Sequence, residues 1–261
     1  MWELLLFGFL VSIVASMTGV GGGIFFVPLL TLAYGFAPSN AVGTSLMVIV
    51  FSALSASFGF ARQKRIFFKT GLILTILTVP GALVGASLTS ILPSEVLGLV
   101  FGVFLVIVAV RMVAANGVYR RNKPQIGISE AVVKEGDLFL NKRLLAFGVG
   151  LSFFGGLVSG LLGVGGGILL VPLMALFLRI PLHAAVATSM FTMVFTTLSG
   201  VAQHWTLGNV NLEYVLLLAP GALVGAQMGA WLCKRISGEK LSLFFAVIVL
   251  VVSVQMIVKF I

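Results

Sequence analysis

Apolar residues in this chain come in long runs separated by short polar breaks, without the alternation of a half-buried strand. A helix crossing a bilayer needs about 20 apolar residues at ~1.5 Å each. Asn40–Ala61, Thr70–Ser90 and Glu95–Ala114 meet that length in the first half, and His183–Gln203, Leu212–Cys233 and Leu241–Ile261 in the second. These six stretches predict ordinary transmembrane helices. Two longer ones, Trp2–Phe36 and Leu144–Leu178, do not fit the pattern. Either would run roughly 52 Å as a single helix. That overshoots a ~30 Å hydrocarbon core, yet falls short of two full crossings and a loop.

Both long stretches carry the same interruption. Thr18-Gly-Val-Gly-Gly-Gly-Ile-Phe-Phe-Val-Pro28 returns 144 residues later as Leu162-Gly-Val-Gly-Gly-Gly-Ile-Leu-Leu-Val-Pro172. Three glycines in a row make a poor helix interior, each costing roughly 1 kcal/mol relative to alanine. A break there predicts two shorter helices folded into a hairpin. The repeat extends further: Asn40-Ala-Val-Gly-Thr-Ser45 recurs as Ala184-Ala-Val-Ala-Thr-Ser189, again at 144. Pro80-Gly-Ala-Leu-Val-Gly-Ala86 recurs unchanged as Pro220-Gly-Ala-Leu-Val-Gly-Ala226, and Gln63 is followed by Gln203, both at 140. On this reading the offset slips by four residues within the third element of each half. The expected organisation is a first transmembrane repeat at 1–115, a linker at 116–142 and a second repeat at 143–261. Within Arg111–Arg143 lie seven Lys or Arg and three of the seven acids, which marks the linker as exposed.

Charge bears on how the halves are oriented. If each long stretch enters and returns, 15 of the 16 Lys and Arg fall on one side of the membrane, with Lys259 alone opposite. If each crosses once, the split is 12 to four. Basic loops stay cytoplasmic. The first arrangement is therefore expected: an all-α polytopic membrane protein of two inverted repeats, each a glycine-broken hairpin plus three transmembrane helices. Its N-terminus is extracytoplasmic and its linker cytoplasmic.

Composition supports the class. The chain is 60% hydrophobic and 9% charged, with a mean hydropathy of +1.21, where soluble domains carry about 25% charge. The net charge of +9 then reads as an orientation signal, and no nucleic-acid partner is expected. The single Cys233 excludes an intrachain disulfide. Met1-Trp-Glu-Leu-Leu lacks a basic n-region, so the N-terminus is read as mature.

Paired, interrupted hydrophobic segments at corresponding places point to a transporter's binding site. A helix restarting after the glycines presents open N–H groups and its positive dipole end to an anion. The candidate substrate-binding residues are therefore Gly21, Gly22, Gly23, Gly165, Gly166 and Gly167, with hydroxyl donors from Thr44, Ser45, Thr188 and Ser189. Gln63 and Gln203 are expected to guard the two mouths. Each feature also has a plainer reading. Glycines allow close helix packing, and buried Ser and Thr often bond to carbonyls of their own or a neighbouring helix. Gln203-His204-Trp205, with Asn209 and Asn211, reads as an outer vestibule, with Arg62 and Gln63 as the inward counterpart. His204 is equally a satisfied interfacial histidine.

Some chemistries are disfavoured. Glycine does not complete a dinucleotide fingerprint after Gly19 and Gly21, and no lysine follows either run to make a P-loop. Glu3, Glu95, Glu213 and Glu239 all lie near span ends. The mid-depth carboxylates of cation pumps are missing, which favours an anion. There is no zinc motif and no carboxylate to orient either histidine. Neither an enzyme nor a metal or other cofactor is expected.

With these motifs the chain resembles the TauE/SafE family of sulfite and organosulfonate permeases. The likeness rests on the paired Gly-Val-Gly-Gly-Gly…Pro runs, the Val-x-Thr-Ser copies and the Pro-Gly-Ala-Leu-Val-Gly-Ala blocks. It implies a permease of the cell inner membrane for sulfur-containing anions such as sulfite, sulfoacetate or related sulfonates. The expected partners are a small anion and membrane lipid, and a homodimer stays open. Still standing beside this reading are an anion channel with the breaks as its filter, a carrier of another organic anion, and a cation carrier built on freed carbonyls.

Overall fold

The structure, a computed structural model, describes residues 2–121, 142–178, 180–233, 250 and 253–260. Every regular element among them is helical. In the first half α1 (Trp2–Thr18) is followed by α2 (Gly23–Pro28), a π-turn (Leu29–Ala33), α3 (Pro38–Arg62), α4 (Phe68–Leu88) and α5 (Ser94–Arg121). The second half repeats this order as α6 (Lys142–Leu162), α7 (Gly167–Pro172), a π-turn (Leu173–Phe177), α8 (Leu182–Thr206) and α9 (Leu212–Leu232). Of the expected linker at 116–142, residues 116–121 continue α5 and Lys142 opens α6, while 122–141 and most of the expected span Leu241–Ile261 lie outside the described residues.

Helices α3, α4, α8 and α9 are long and apolar enough to cross a membrane. Their outer faces carry exposed Leu72, Ile76, Leu216 and Val224, a surface suited to lipid. Exposed Trp205 and Trp231 mark helix ends, where aromatic belts sit.

The glycines stop the helix and reverse it. Gly19, Gly21 and Gly22 hold φ of 74°, 94° and 86°, values that a side chain would strain. Beyond the turn, Phe26 lies 6.4 Å from Phe7, ring centre to ring centre. In one straight helix the two would be roughly 28 Å apart. Likewise Phe177 returns to 5.8 Å from Phe147. Pro28 and Pro172 close α2 and α7, and each has no N–H for the helical ladder. A π-turn follows each one.

Close crossings join the halves. At Gly81 and Gly85 of α4 an added Cβ would overlap the Phe153 and Leu157 carbonyl oxygens. From the other side, Gly156 and Gly160 of α6 meet the Thr78 and Ala82 carbonyls. Helices α1 and α9 repeat the arrangement: Gly221, Gly225 and Gly229 press on the Leu5, Phe9 and Ile13 carbonyls. In both pairs residue numbers rise together along the contact, so the helices run parallel. Small residues four apart are what such backbone approach requires.

This packing corrects the expected slip in offset. Gly81 sits on Phe153 as Gly225 sits on Phe9, and both comparisons are 144 apart. Helices α3 and α8, and α4 and α9, also start and end 144 apart. The two identical Pro-Gly-Ala-Leu-Val-Gly-Ala blocks therefore lie one helical turn out of register. Glycines four apart permit the slip, since the surface they present is the same after one turn. Gln203 by the same rule corresponds to Gly59, and Gln63 to Leu207, so the two glutamines are not equivalent.

At the centre α3 and α8 pack antiparallel. Thr44, near the start of α3, accepts a hydrogen bond from the Asn211 N–H beyond the end of α8. Thr188, near the start of α8, accepts one from the Phe67 N–H beyond the end of α3. This buried pair is the wall against which both broken segments lie.

The crossings should be intolerant of a single methyl group. Gly160→Ala would overlap the Ala82 carbonyl, and overpacking of this kind costs about 1–3 kcal/mol. Gly150, on the same helix, faces open space. Thermal unfolding in detergent should show a lower midpoint for Gly160→Ala, and an unchanged or raised one for Gly150→Ala.

Candidate functional site

At the middle of the molecule the two glycine breaks abut. A Cβ added to Gly21 would lie 3.5 Å from the Gly165 Cα, and one added to Gly165 would lie 3.6 Å from the Gly21 Cα. On either side, Gly23 packs on the Gly163 carbonyl and Gly167 on the Gly19 carbonyl. Only residues without side chains allow this crossing. All six candidate glycines, three from each half, are thus brought together and buried.

The carbonyls and amides of the breaks fare differently. Ser45 Oγ donates to the Gly163 oxygen at 3.0 Å, and Ser189 Oγ to the Gly19 oxygen at 3.1 Å. The Gly22 oxygen accepts from the Phe25 and Phe26 amides, and the Gly166 oxygen from those of Leu169 and Leu170. By contrast, the N–H groups of Gly21, Gly22, Gly23 and Ile24 meet no acceptor among the described residues, nor do those of Gly165, Gly166, Gly167 and Ile168. An unpaired buried donor costs roughly 1–3 kcal/mol. Each break thus carries a row of four unpaired amides, beside carbonyls of which those of Gly19, Gly22, Gly163 and Gly166 are engaged.

The four hydroxyls expected as ligands are all buried and all engaged with backbone of the other half. Ser45 and Ser189 hold the break carbonyls, while Thr44 and Thr188 hold the loops that follow α8 and α3. In this state their bonds fasten the halves to each other.

The glutamines stand at opposite ends of the α3–α8 pair. Gln63 donates through Nε2 to the Ala230 carbonyl at 3.0 Å, and its buried Oε1 has no partner among the described residues. With Arg62, Gln227, Met228, Trp231 and Gly59 it lines a cleft of about 380 Å³. Half-buried Gln203 lies in the last turn of α8. Beyond it, Asn209, Val210 and Asn211 face Phe36 and Asn40 across a second cleft of about 550 Å³. His204 takes no part in either cleft. Fully buried, its Nε2 lies 3.0 Å from the Gly160 carbonyl and its Nδ1 3.3 Å from Asn209 Nδ2. An Nε2–H tautomer satisfies both contacts, which supports the satisfied-histidine reading.

One residue was missed in the sequence. Ser159 of α6 is wholly buried, and its hydroxyl has no partner among the described residues. Its Cβ lies 3.5 Å from where a Cβ on Gly166 would stand. The equivalent neighbour of Gly22 is Ala15. A hydroxyl-bearing side chain therefore stands beside Gly166, where the first break has the Ala15 methyl beside Gly22. Aligning the repeats at 144 would have exposed this difference.

Comparison with known proteins agrees with the motifs. Residues 4–256 match the family model described as Sulfite exporter TauE/SafE, and the chain belongs to that family. It is 31% identical to the probable membrane transporter protein YunE of Bacillus subtilis, over 97% of this chain and 96% of that protein. A probable membrane transporter protein of Methanocaldococcus jannaschii is 27% identical, over 97% and 94%. No solved structure gives a significant match.

Removing either serine hydroxyl leaves a buried carbonyl unpaired. Ser45→Ala and Ser189→Ala should each destabilise the protein by about 1–3 kcal/mol. Chemical unfolding of the two single variants and the double variant checks this.

Proposed function

From a member of the Sulfite exporter TauE/SafE family, we infer a secondary transporter of small sulfur-containing oxyanions such as sulfite or an organosulfonate. The observation that carries this reading is the pair of unpartnered amide rows at the abutting breaks. A sulfonate has fixed charge and three acceptor oxygens, and converging neutral donors suit it. The amides of Gly21, Gly22 and Gly23 and of Gly165, Gly166 and Gly167 would cradle the anion, and the Ser159 hydroxyl would add a donor. Their capped carbonyls weigh against a cation carrier, since Ser45 and Ser189 already occupy two of the oxygens such a cage would use.

The halves are read as inverted repeats. Antiparallel α3 and α8, equivalent helices 144 residues apart, support that reading, as does the reversal of each broken segment. With the basic loops cytoplasmic, the cleft bearing Arg62 and Gln63 faces inward and the one bearing Asn209 and Asn211 faces outward. Alternating access would then rock one half against the other. The Thr44, Ser45, Thr188 and Ser189 bonds lie along that boundary. They are the contacts to exchange, and in an opened state their hydroxyls become free to reach the substrate.

Ligand-induced thermal stabilisation of the purified protein tests this. A ligand that binds only the folded state stabilises it as RT ln(1 + [L]/Kd). Sulfite, sulfoacetate, taurine, sulfate, a carboxylate and simple cations form the panel. At least one sulfur oxyanion should raise the midpoint. Ser159→Ala should weaken its apparent affinity by roughly 10-fold, the worth of one hydrogen bond to a charged group. Stabilisation by a cation alone would overturn the anion site.

A further inference from the structure

One side chain packs against both breaks where they meet. Met193, near the middle of α8, is wholly buried. Its Sδ lies 2.9 Å from where a Cβ would stand on Gly21, and equally 2.9 Å from one on Gly165. Its Cε lies 2.7 Å from one on Gly167. The methionine thus packs on glycines of both halves, where the two breaks meet. The equivalent residue on α3 is Ile49, also wholly buried, whose Cγ2 lies 3.3 Å from a Cβ on Gly165.

We propose that Met193 is the plug of this site: its side chain leaves when substrate enters, and its volume limits the size of anion taken. The proposal rests on the transport reading above. A thioether has neither charge nor N–H to offer an anion, so its part is to fill space. Being unbranched, with three rotatable bonds, it can fold away at small cost. Ile49 is β-branched and held to one strongly preferred rotamer in a helix. The plug therefore has one movable wall and one fixed wall. The two clefts lie beyond it in opposite directions, toward Asn209 and toward Gln63, so an anion arriving from either side meets the same methionine. In the resting protein the thioether keeps water from the amides and closes the path.

The test uses the full-length protein in liposomes with sulfite, methanesulfonate, ethanesulfonate and propanesulfonate. Met193→Ala should raise propanesulfonate transport relative to methanesulfonate by about 10-fold, a ratio independent of how much variant folds. Met193→Ile, which copies the stiff residue of α3, should lower turnover about 10-fold with little change in KM. In a Cys233→Ser background, Met193→Cys should react with an anionic methanethiosulfonate reagent, and the transported anion should slow that reaction. If that protection holds while Met193→Ala keeps the wild-type size profile, the plug is overturned and the site stands. Labelling that no transported anion slows would overturn the site at the breaks and the plug with it. Wild-type liposomes that pass none of the four anions would overturn the transport reading itself.

Discussion

A backbone interrupted inside hydrocarbon must find partners for its polar groups, because lipid supplies none. The rest of this molecule follows from how that demand is met. Each break is answered from the opposite half: Ser45 caps the carbonyl of Gly163, and Ser189 caps that of Gly19. Neither half could settle its own break in the same way, because both serines sit on the helix that the other break packs against. The hydroxyls must therefore come from a tightly joined pair, and the glycine crossings provide it. By bringing α1 onto α9 and α4 onto α6 at backbone contact, they hold the breaks in register to within the length of a hydrogen bond.

The same constraint explains the composition of the contacts. Van der Waals packing and shared hydrogen bonds, in place of hydrophobic exclusion, hold helices together in a bilayer. Hence Gly23 and Gly167 face carbonyl oxygens directly, and Thr44 and Thr188 reach past their own helices to cap a loop of the other half. With four of the break carbonyls engaged and the break amides unpaired among the described residues, the breaks offer hydrogen-bond donors without a charged residue. A lysine or arginine there would give a stronger field, but the low-dielectric surroundings would exact a large desolvation cost. Backbone amides carry a partial charge fixed in place by the fold.

Much of this was legible in the chain, and what was not has a physical reason. Glycine and proline report on backbone conformation wherever they occur, so the breaks at Gly19–Gly23 and Gly163–Gly167 and the reversal after them could be read directly. Hydroxyls report nothing until their neighbours are known. Ser45 and Ser189 bond to residues 118 and 170 positions away, which no local pattern encodes. The repeated Pro-Gly-Ala-Leu-Val-Gly-Ala block misled because identity in sequence need not mean equivalence in space. A four-residue glycine period can slide by one turn and still fit its groove. Met193 was silent for another reason: a methionine within an apolar helix looks like lipid-facing or core packing until the glycines opposite it are placed.

The departures from symmetry between the halves carry as much meaning as the symmetry. Ser159 stands where the first half has Ala15, Met193 where it has Ile49, and Thr206 where it has Arg62. Two identical halves would give two identical routes to the site, with nothing to distinguish them beyond the gradient. Here one break has a serine hydroxyl beside it, the residue packed on the breaks is an unbranched methionine in one half and a β-branched isoleucine in the other, and one cleft carries the Arg62 guanidinium. Such differences cannot by themselves set a direction of net transport, which the gradients determine. On the proposed transport cycle they would make the two half-reactions unequal in rate and affinity. The duplicated glycine motif supplies the scaffold of the site, and the residues that break the duplication are where its selectivity has room to reside.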